Sequence, residues 1–98
     1  MKRSEALRKL KSHAEPLKAL GATSLYLFGS TVRNKASNDS DIDLFLDYDP
    51  RGRFSVLDLV AAKRLLEKGL GVAVDLTTRN GLHPLIRKKI ETEATRVF

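Results

Sequence analysis

Leu25-Tyr26-Leu27-Phe28-Gly29-Ser30 is followed, after ten residues, by Asp41-Ile42-Asp43-Leu44-Phe45-Leu46-Asp47. The first segment predicts a strand covered on both faces, because its apolar residues run without interruption. The second predicts a strand with acid on one face, because residues i and i+2 of a strand point to the same side. Asp41 and Asp43 are therefore expected to point together, with Ile42 and Leu44 facing a core.

The two neighbouring carboxylates of this second strand predict a metal site. Carboxylates held side by side repel each other unless a proton or a cation lies between them. At pH 7 a divalent cation meets that need, and oxygen ligands suit Mg2+. Asp41 and Asp43 are therefore candidate metal ligands.

The turn at Gly29 and Ser30 predicts an anion site beside the metal. A glycine at a strand end lets a ligand approach the backbone closely. Ser30 can cap a helix that starts near Thr31, and the free N–H groups of a helix start bind anions. A metal site and a phosphate site on one unit together indicate a site for a metal–nucleoside triphosphate.

Gly29-Ser30, ten residues and Asp41-x-Asp43 resemble the GSx10DxD signature of the DNA polymerase beta-like nucleotidyltransferases. The resemblance is to the minimal nucleotidyltransferases in particular, and it covers nearly the whole chain. The segments that carry it are Phe28-Gly29-Ser30 with Arg33, Asp39-Ser40-Asp41-Ile42-Asp43-Leu44, Val74-Asp75-Leu76-Thr77 and Gly81-Leu82-His83-Pro84-Leu85. Asn34 departs from the family, which commonly has glycine after the arginine.

Asp75 is the one acid in an otherwise apolar predicted strand, residues 72–76. A buried carboxylate without a partner is costly, so Asp75 is expected to have one. It is either in a salt bridge with a nearby Arg or Lys, or the third acid of a catalytic triad. The resemblance implies the triad, with two Mg2+ ions ~3.5–4 Å apart. Asp41 and Asp43 would then bind both ions, and Asp75 would bind the catalytic one and help to take the proton from the attacking hydroxyl. The sequence leaves open whether Asp75 or another acid is the third ligand.

The phosphate side of the site involves four residues. The resemblance implies that Gly29 and Ser30 hold the beta- and gamma-phosphates of ATP. Arg33 is either a solvated surface residue or a contact of the triphosphate, and the resemblance favours the contact. For Ser40, capping of a turn and contact with metal-bound phosphate both remain open.

Length and composition indicate one domain spanning residues 1–98, with 42% hydrophobic residues to form one modest core. No run approaches the ~20 apolar residues of a membrane span. No secretory leader is visible and cysteine is absent, which fits the cytoplasm. The predicted order of helix, strand, short helix, strand, helix, strand and helix indicates an α/β (α+β) fold. The resemblance makes this the polymerase beta-like nucleotidyltransferase fold, a small mixed sheet flanked by helices.

The predicted elements begin with an amphipathic helix that Pro16 breaks near residues 14–15 and Gly21 ends. Strands are predicted at residues 24–28, 41–47 and 72–76, with a short helix after Ser30. Ser55-x-x-Asp58 resembles a capping box that opens a helix closed by Gly69 or Gly71. A last helix is predicted over residues 81–97, with His83 as its cap and Pro84 in its first turn. His13 is expected to be a surface residue.

The resemblance implies that the chain transfers AMP from ATP to a tyrosine of a HEPN-domain toxin, and so acts as an antitoxin. A chain of this size has little surface to spare for selecting an acceptor, so a partner chain is expected, and homo- and hetero-oligomers both remain open. Alternatives are a non-catalytic binding module that neutralises a partner by contact and a subunit of a small-molecule nucleotidyltransferase. The net charge of +6 would also suit a nucleic-acid binder, but the basic residues are not interleaved with aromatic ones.

Overall fold

The computed structural model describes residues 2–29 and 42–98. In chain order the elements are helix α1 (Arg3–Lys11), helix α2 (Ala14–Leu20), strand β1 (Ala22–Phe28), strand β2 (Ile42–Tyr48), helix α3 (Val56–Leu70), strand β3 (Val74–Thr78), a 3-10 turn (Arg79–Gly81), helix α4 (Pro84–Glu93) and strand β4 (Thr95–Arg96). The short helix predicted after Ser30 lies outside the described residues.

The strands form a mixed sheet in the order β3-β2-β1-β4. β1 runs antiparallel to both β2 and β4, whereas β2 and β3 are parallel. A parallel pair needs a long crossover connection, and α3 supplies it. The predicted fold class, a small mixed sheet flanked by helices, is therefore confirmed.

One face of the sheet carries the core, and α1, α2 and α3 build the layer that covers it. α2 and α3 pack on the strands, and α1 packs on α3. Strand alternation sends Leu25, Leu27, Leu44 and Leu46 into this core. The opposite, open face of the sheet therefore receives the residues between them, among which are the acids of β2.

α3 has the predicted start. The backbone N–H of Ser55 donates to Oδ2 of Asp58 at 2.8 Å, and the N–H of Asp58 donates to Oγ of Ser55 at 3.4 Å. This is a capping box, which satisfies N–H groups left free at a helix start. Of the two glycines predicted to close the helix, Gly71 does so, with φ of +74°.

The last helix was predicted over residues 81–97, and this prediction was wrong at its C-terminal end. α4 ends at Glu93, and the chain turns into β4. The N–H of Val97 donates to the carbonyl oxygen of Leu25 at 2.7 Å. The N–H of Leu25 donates to the carbonyl oxygen of Phe98 at 3.1 Å. The N–H of Val97 thus bonds to β1, whereas a continuing helix would have bonded it to the carbonyl of Glu93. The predictions for His83 as the cap and Pro84 in the first turn are confirmed.

The N-terminal helix breaks earlier than predicted. α1 ends at Lys11 and α2 begins at Ala14, so that Pro16 is the third residue of α2, where its missing N–H costs no helical bond. His13, predicted to be a surface residue, is half-buried. Its Nδ1 lies 2.8 Å from the carbonyl oxygen of Lys9, and its ring faces Gly69 of α3.

The strand bounds also differ from the prediction. β3 lies two residues later than predicted, at Val74–Thr78, because residues 72 and 73 connect the end of α3 to the sheet. Oε2 of Glu67 accepts a hydrogen bond from the N–H of Val74 at 3.0 Å and fixes the start of the strand.

Among the described residues, none of the helices has the length and apolar character needed to cross a bilayer.

Candidate active site

Two of the three predicted acids stand side by side on the open face of the sheet. Asp43 of β2 and Asp75 of β3 are register partners in the parallel pair. Neighbouring strands lie about 4.8 Å apart, and paired residues point to the same face. Both side chains therefore project from adjacent strands at one end of the open face.

Asp75 was expected to be buried, and that expectation was wrong. Its neighbours in the strand, Val74 and Leu76, are buried, but Asp75 is exposed. β3 is an edge strand, and position 75 lies on the face of the sheet opposite the core residues Val74 and Leu76. Because Asp75 is exposed, its charge needs no salt bridge to offset burial. Its carboxylate is accessible to a ligand.

Gly29 lies directly against Asp43. The antiparallel pairing of Phe28 with Asp43 brings the turn after β1 beside this carboxylate. A Cβ added to Gly29 would collide with Oδ2 of Asp43 and lie 3.2 Å from its Cγ. Gly29 also has φ of +79°, a conformation that favours glycine. The group in close contact with this glycine is thus the carboxylate of Asp43, and the approach of a phosphate to its backbone stays a prediction.

Four of the predicted site residues lie outside the described ranges, namely Ser30, Arg33, Ser40 and Asp41. Their roles, including the place of Asp41 in the acid cluster, stay predictions. Within residues 2–29 and 42–98, no group of three or more His, Cys, Asp or Glu side chains could hold a metal. Of the three acids of the predicted triad, these ranges contain Asp43 and Asp75. Their carboxylates supply the oxygen donors that suit Mg2+.

An ion-pair cluster centred on Arg79 occupies the other end of the open face, and the sequence analysis missed it. Nε of Arg79 donates to Oδ1 of Asp47 at 2.8 Å, and its second terminal nitrogen donates to Oδ2 at 2.9 Å. Arg79 also donates to Oε2 of Glu91 at 2.5 Å, which ties α4 to the sheet. Its guanidinium carbon lies 5.0 Å from the ring centre of Tyr26 and 4.9 Å from that of Phe45. The cluster joins β1, β2, α4 and the turn after β3.

The hydrogen bond from Arg79 is the main reason that the pKa of Asp47 is lowered from 3.8, against an opposing effect of burial. The same hydrogen bond is the largest cause of the raised pKa of Arg79. Alternation in β2 places Asp47 on the same face as Asp43. Arg79 lies beyond β3, in the 3-10 turn, so no pattern in the sequence pairs it with Asp47.

A cleft of about 230 Å³ separates α4 from the end of β1 beside the acids. Its lining includes Phe28, Gly29, Ile86, Lys89, Ile90 and Glu93. Gly29, one of its lining residues, lies against Asp43, so the cleft adjoins that carboxylate. It combines apolar side chains with one cation and one acid, and α4 forms one of its walls.

The sequence is similar to a known protein family and to named relatives. Residues 6–97 match the family model of the nucleotidyltransferase domain. A Methanocaldococcus jannaschii protein, provisionally named a protein adenylyltransferase, is 43% identical over 72 residues, which cover 74% of this chain and 75% of the relative. The protein adenylyltransferase MntA of Thermococcus cleftensis is 33% identical over 89 residues, covering 90% of this chain and 88% of the relative.

Solved structures agree with the fold. One that is provisionally named a minimal nucleotidyltransferase has a TM-score of 0.79 and 38% identity, and the match covers 97% of this chain and 95% of that chain. A chain in the complex of an MNT antitoxin with a tri-AMPylated HEPN toxin of Shewanella oneidensis has a TM-score of 0.65 and 16% identity. That match covers 94% of this chain and 71% of that chain, and it bears on the fold alone.

Proposed function

The chain belongs to the nucleotidyltransferase domain family, and we propose that it is a Mg2+-dependent protein adenylyltransferase. It would transfer AMP from ATP to a hydroxyl of a partner protein. The observation that carries the proposal is the pairing of Asp43 with Asp75 beside the backbone of Gly29. Relatives named as protein adenylyltransferases support the choice of a protein acceptor.

In the proposed reaction, the acceptor oxygen attacks the alpha-phosphorus of ATP and forms a new oxygen–phosphorus bond. The bond between that phosphorus and the bridging oxygen to the beta-phosphorus breaks, and pyrophosphate leaves with the electron pair. Asp75 is assigned as the carboxylate that helps to take the hydroxyl proton, since it is exposed and faces the open side of the sheet.

The residues of the chain position the reactants. Asp43 and Asp75, with Asp41 as the third acid, would hold Mg2+, and a pair of ions would neutralise charge on the attacking and leaving oxygens. Gly29 and Ser30 would present backbone and hydroxyl groups to the beta- and gamma-phosphates, because a glycine turn permits that approach. Arg33 and Ser40 are assigned to the same phosphates.

We propose that the hydroxyl that receives AMP belongs to a tyrosine of a HEPN-domain toxin. The chain would then be the antitoxin of a toxin–antitoxin pair. In one solved complex that contains a chain of this fold, a tri-AMPylated HEPN toxin is bound to an MNT antitoxin. A requirement for ATP also implies that the chain acts in the cytoplasm.

The mass of the acceptor tests this proposal. The purified chain is incubated with ATP, Mg2+ and the HEPN-domain protein of the same genome, and the intact mass of that protein is recorded. The expected result is a gain of one AMP unit or a whole multiple of it, which requires Mg2+ and maps to tyrosine. An unchanged mass would contradict the proposal. A double variant, Asp41→Asn with Asp43→Asn, that still neutralises the toxin fully would indicate a binding module instead.

A further inference from the structure

α4 exposes apolar residues instead of burying them. Leu85 is 88% exposed and Ile86 is 50% exposed, and α4 has no buried residue. α3 also exposes apolar residues, namely Val56, Leu57 and Val60, but its start lies beside Tyr48 and Thr78, away from the acids. Contiguous apolar surface that a chain leaves exposed can mark a contact site for another protein. α4 therefore carries apolar surface that this chain does not itself cover.

This apolar surface lies beside the candidate active site. Ile86, Lys89 and Ile90 of α4 line the cleft whose opposite wall is Phe28 and Gly29, and Gly29 lies against the carboxylate of Asp43. The bond from Arg79 to Glu91 fixes the helix to the sheet. A protein seated on α4 is therefore held next to the acids, where an acceptor hydroxyl has to be.

The charge on α4 defines the chemistry of such a partner. Lys88 and Lys89 follow the apolar pair, at the i+3 and i+4 positions from Leu85, and so lie close to it on the helix surface. Both lysines are exposed, and within residues 2–29 and 42–98 neither is in a salt bridge. An apolar segment with flanking carboxylates complements this surface, which we define as Leu85, Ile86, Lys88 and Lys89.

We propose that this surface of α4 docks the acceptor protein, through an apolar and acidic segment of that protein, and so delivers its hydroxyl to the acids. The inference rests on the proposed function and adds to it the place where the acceptor is bound. A second copy of the chain on α4 is the alternative that the experiment has to exclude.

A matched pair of variants tests the inference. Leu85 and Leu57 each occupy the second position of a helix, α4 and α3 respectively, and Leu57 is 80% exposed. α3 starts beside Tyr48 and Thr78, at the opposite end of the strands from Asp43. An aspartate near a helix start interacts favourably with the helix dipole, so both Leu85→Asp and Leu57→Asp are expected to fold.

The measurements are the KM for the HEPN-domain acceptor, the KM for ATP and the acceptor affinity in calorimetry without ATP. For Leu85→Asp we expect at least a tenfold rise in the acceptor KM and in the dissociation constant, with the KM for ATP unchanged. Leu57→Asp is expected to change each value by less than twofold. Equal behaviour of the two variants would overturn the inference, as would a Leu85→Asp variant that loses only self-association in sedimentation.

The two proposals fail in different ways. If the wild-type chain binds the acceptor but transfers no AMP, the proposed function is wrong, and the binding data alone decide whether α4 is the docking surface. If the wild-type chain transfers AMP and Leu85→Asp does so with an unchanged acceptor KM, docking on α4 is wrong and the proposed function stands.

Discussion

Gly29 is the residue at which the absence of a side chain matters most for the site. Its φ of +79° is one that most residues avoid, and the space a Cβ would need is filled by the carboxylate of Asp43. A substitution at Gly29 would therefore strain the backbone and also displace the carboxylate of Asp43. The two effects can be measured separately at Gly71. This glycine has nearly the same φ, +74°, but nothing lies within 4 Å of the position of an added Cβ.

Gly29→Ala and Gly71→Ala are therefore expected to differ in activity more than in stability. Each places alanine in a left-handed conformation, at about 1–2 kcal/mol in the free energy of unfolding. Gly29→Ala also displaces the Asp43 carboxylate, and a displacement of about 1 Å at a reacting centre can lower a rate about 100-fold. Urea unfolding and the rate of AMP transfer measure the two effects. Equal transfer rates for the two variants would contradict the assigned role of Gly29.

The resemblance, and not the spacing of the residues, implied that Asp75 joins Asp43 in one site. The structure makes the two residues register partners on neighbouring strands, and a shared role in catalysis stays a prediction. The exposure of Asp75 could not be predicted, because it depends on β3 being an edge strand, which only the assembled sheet determines. Arg79 was missed since it follows the strand in a polar turn, and only the folded sheet brings it to Asp47.

At the scale of elements, the Arg79 cluster holds the parts of the open face together. Arg79 follows β3, Asp47 belongs to β2, and Glu91 belongs to α4. The side chains of Arg79 and Asp47 are only 26% and 30% exposed, so solvent screens this pair less than it would screen a fully exposed one. The cluster therefore contributes to stability and to the seating of α4 on the sheet.

The pairing of Asp47 with Arg79 predicts a loss of stability in acid. The pKa of Asp47 is lowered from 3.8 by its hydrogen bond to Arg79. Such a carboxylate stabilises the fold above the unfolded-state pKa, and this contribution is lost as the pH falls through the lower folded-state pKa. Asp47→Asn is therefore expected to cost about 1 kcal/mol near neutral pH, and the difference from wild type should shrink below pH 3.8.

Urea unfolding of both proteins across this pH range measures the effect. Asp49→Asn is the matched control, because Asp49 bonds to Arg51, whose side chain is 91% exposed, and little change is expected. If Asp47→Asn lowers the free energy of unfolding by the same amount at every pH, the ion pair does not stabilise the fold.

β4 shows why the C-terminal element was misassigned. Ile90, Ala94 and Val97 continue an apolar spacing that fits a helix, and no proline or glycine interrupts residues 85–98. The chain nevertheless leaves the helix after Glu93, because Val97 is buried in the core and pairs with the backbone of Leu25. That choice depends on a free edge of β1, which is a property of the assembled sheet. The capping box at Ser55 was predictable because all of its contacts are local.

At the scale of the whole molecule, the two faces of the sheet have different tasks. One face holds the apolar core against α1, α2 and α3. The other displays the paired acids at one end, the Arg79 cluster at the other and α4 alongside.

The most direct test of the central claim is the single-turnover rate of AMP transfer to the HEPN-domain acceptor by Asp43→Asn, Asp75→Asn and Asp49→Asn. The first two remove one charge each from the paired acids, and losing such a group at a reacting centre lowers a rate by about 100-fold or more. Asp49→Asn makes the same chemical change in the turn after β2 and should keep the wild-type rate. The claim predicts that both site variants fold and lose transfer at least about 100-fold, and wild-type rates in either of them would contradict it.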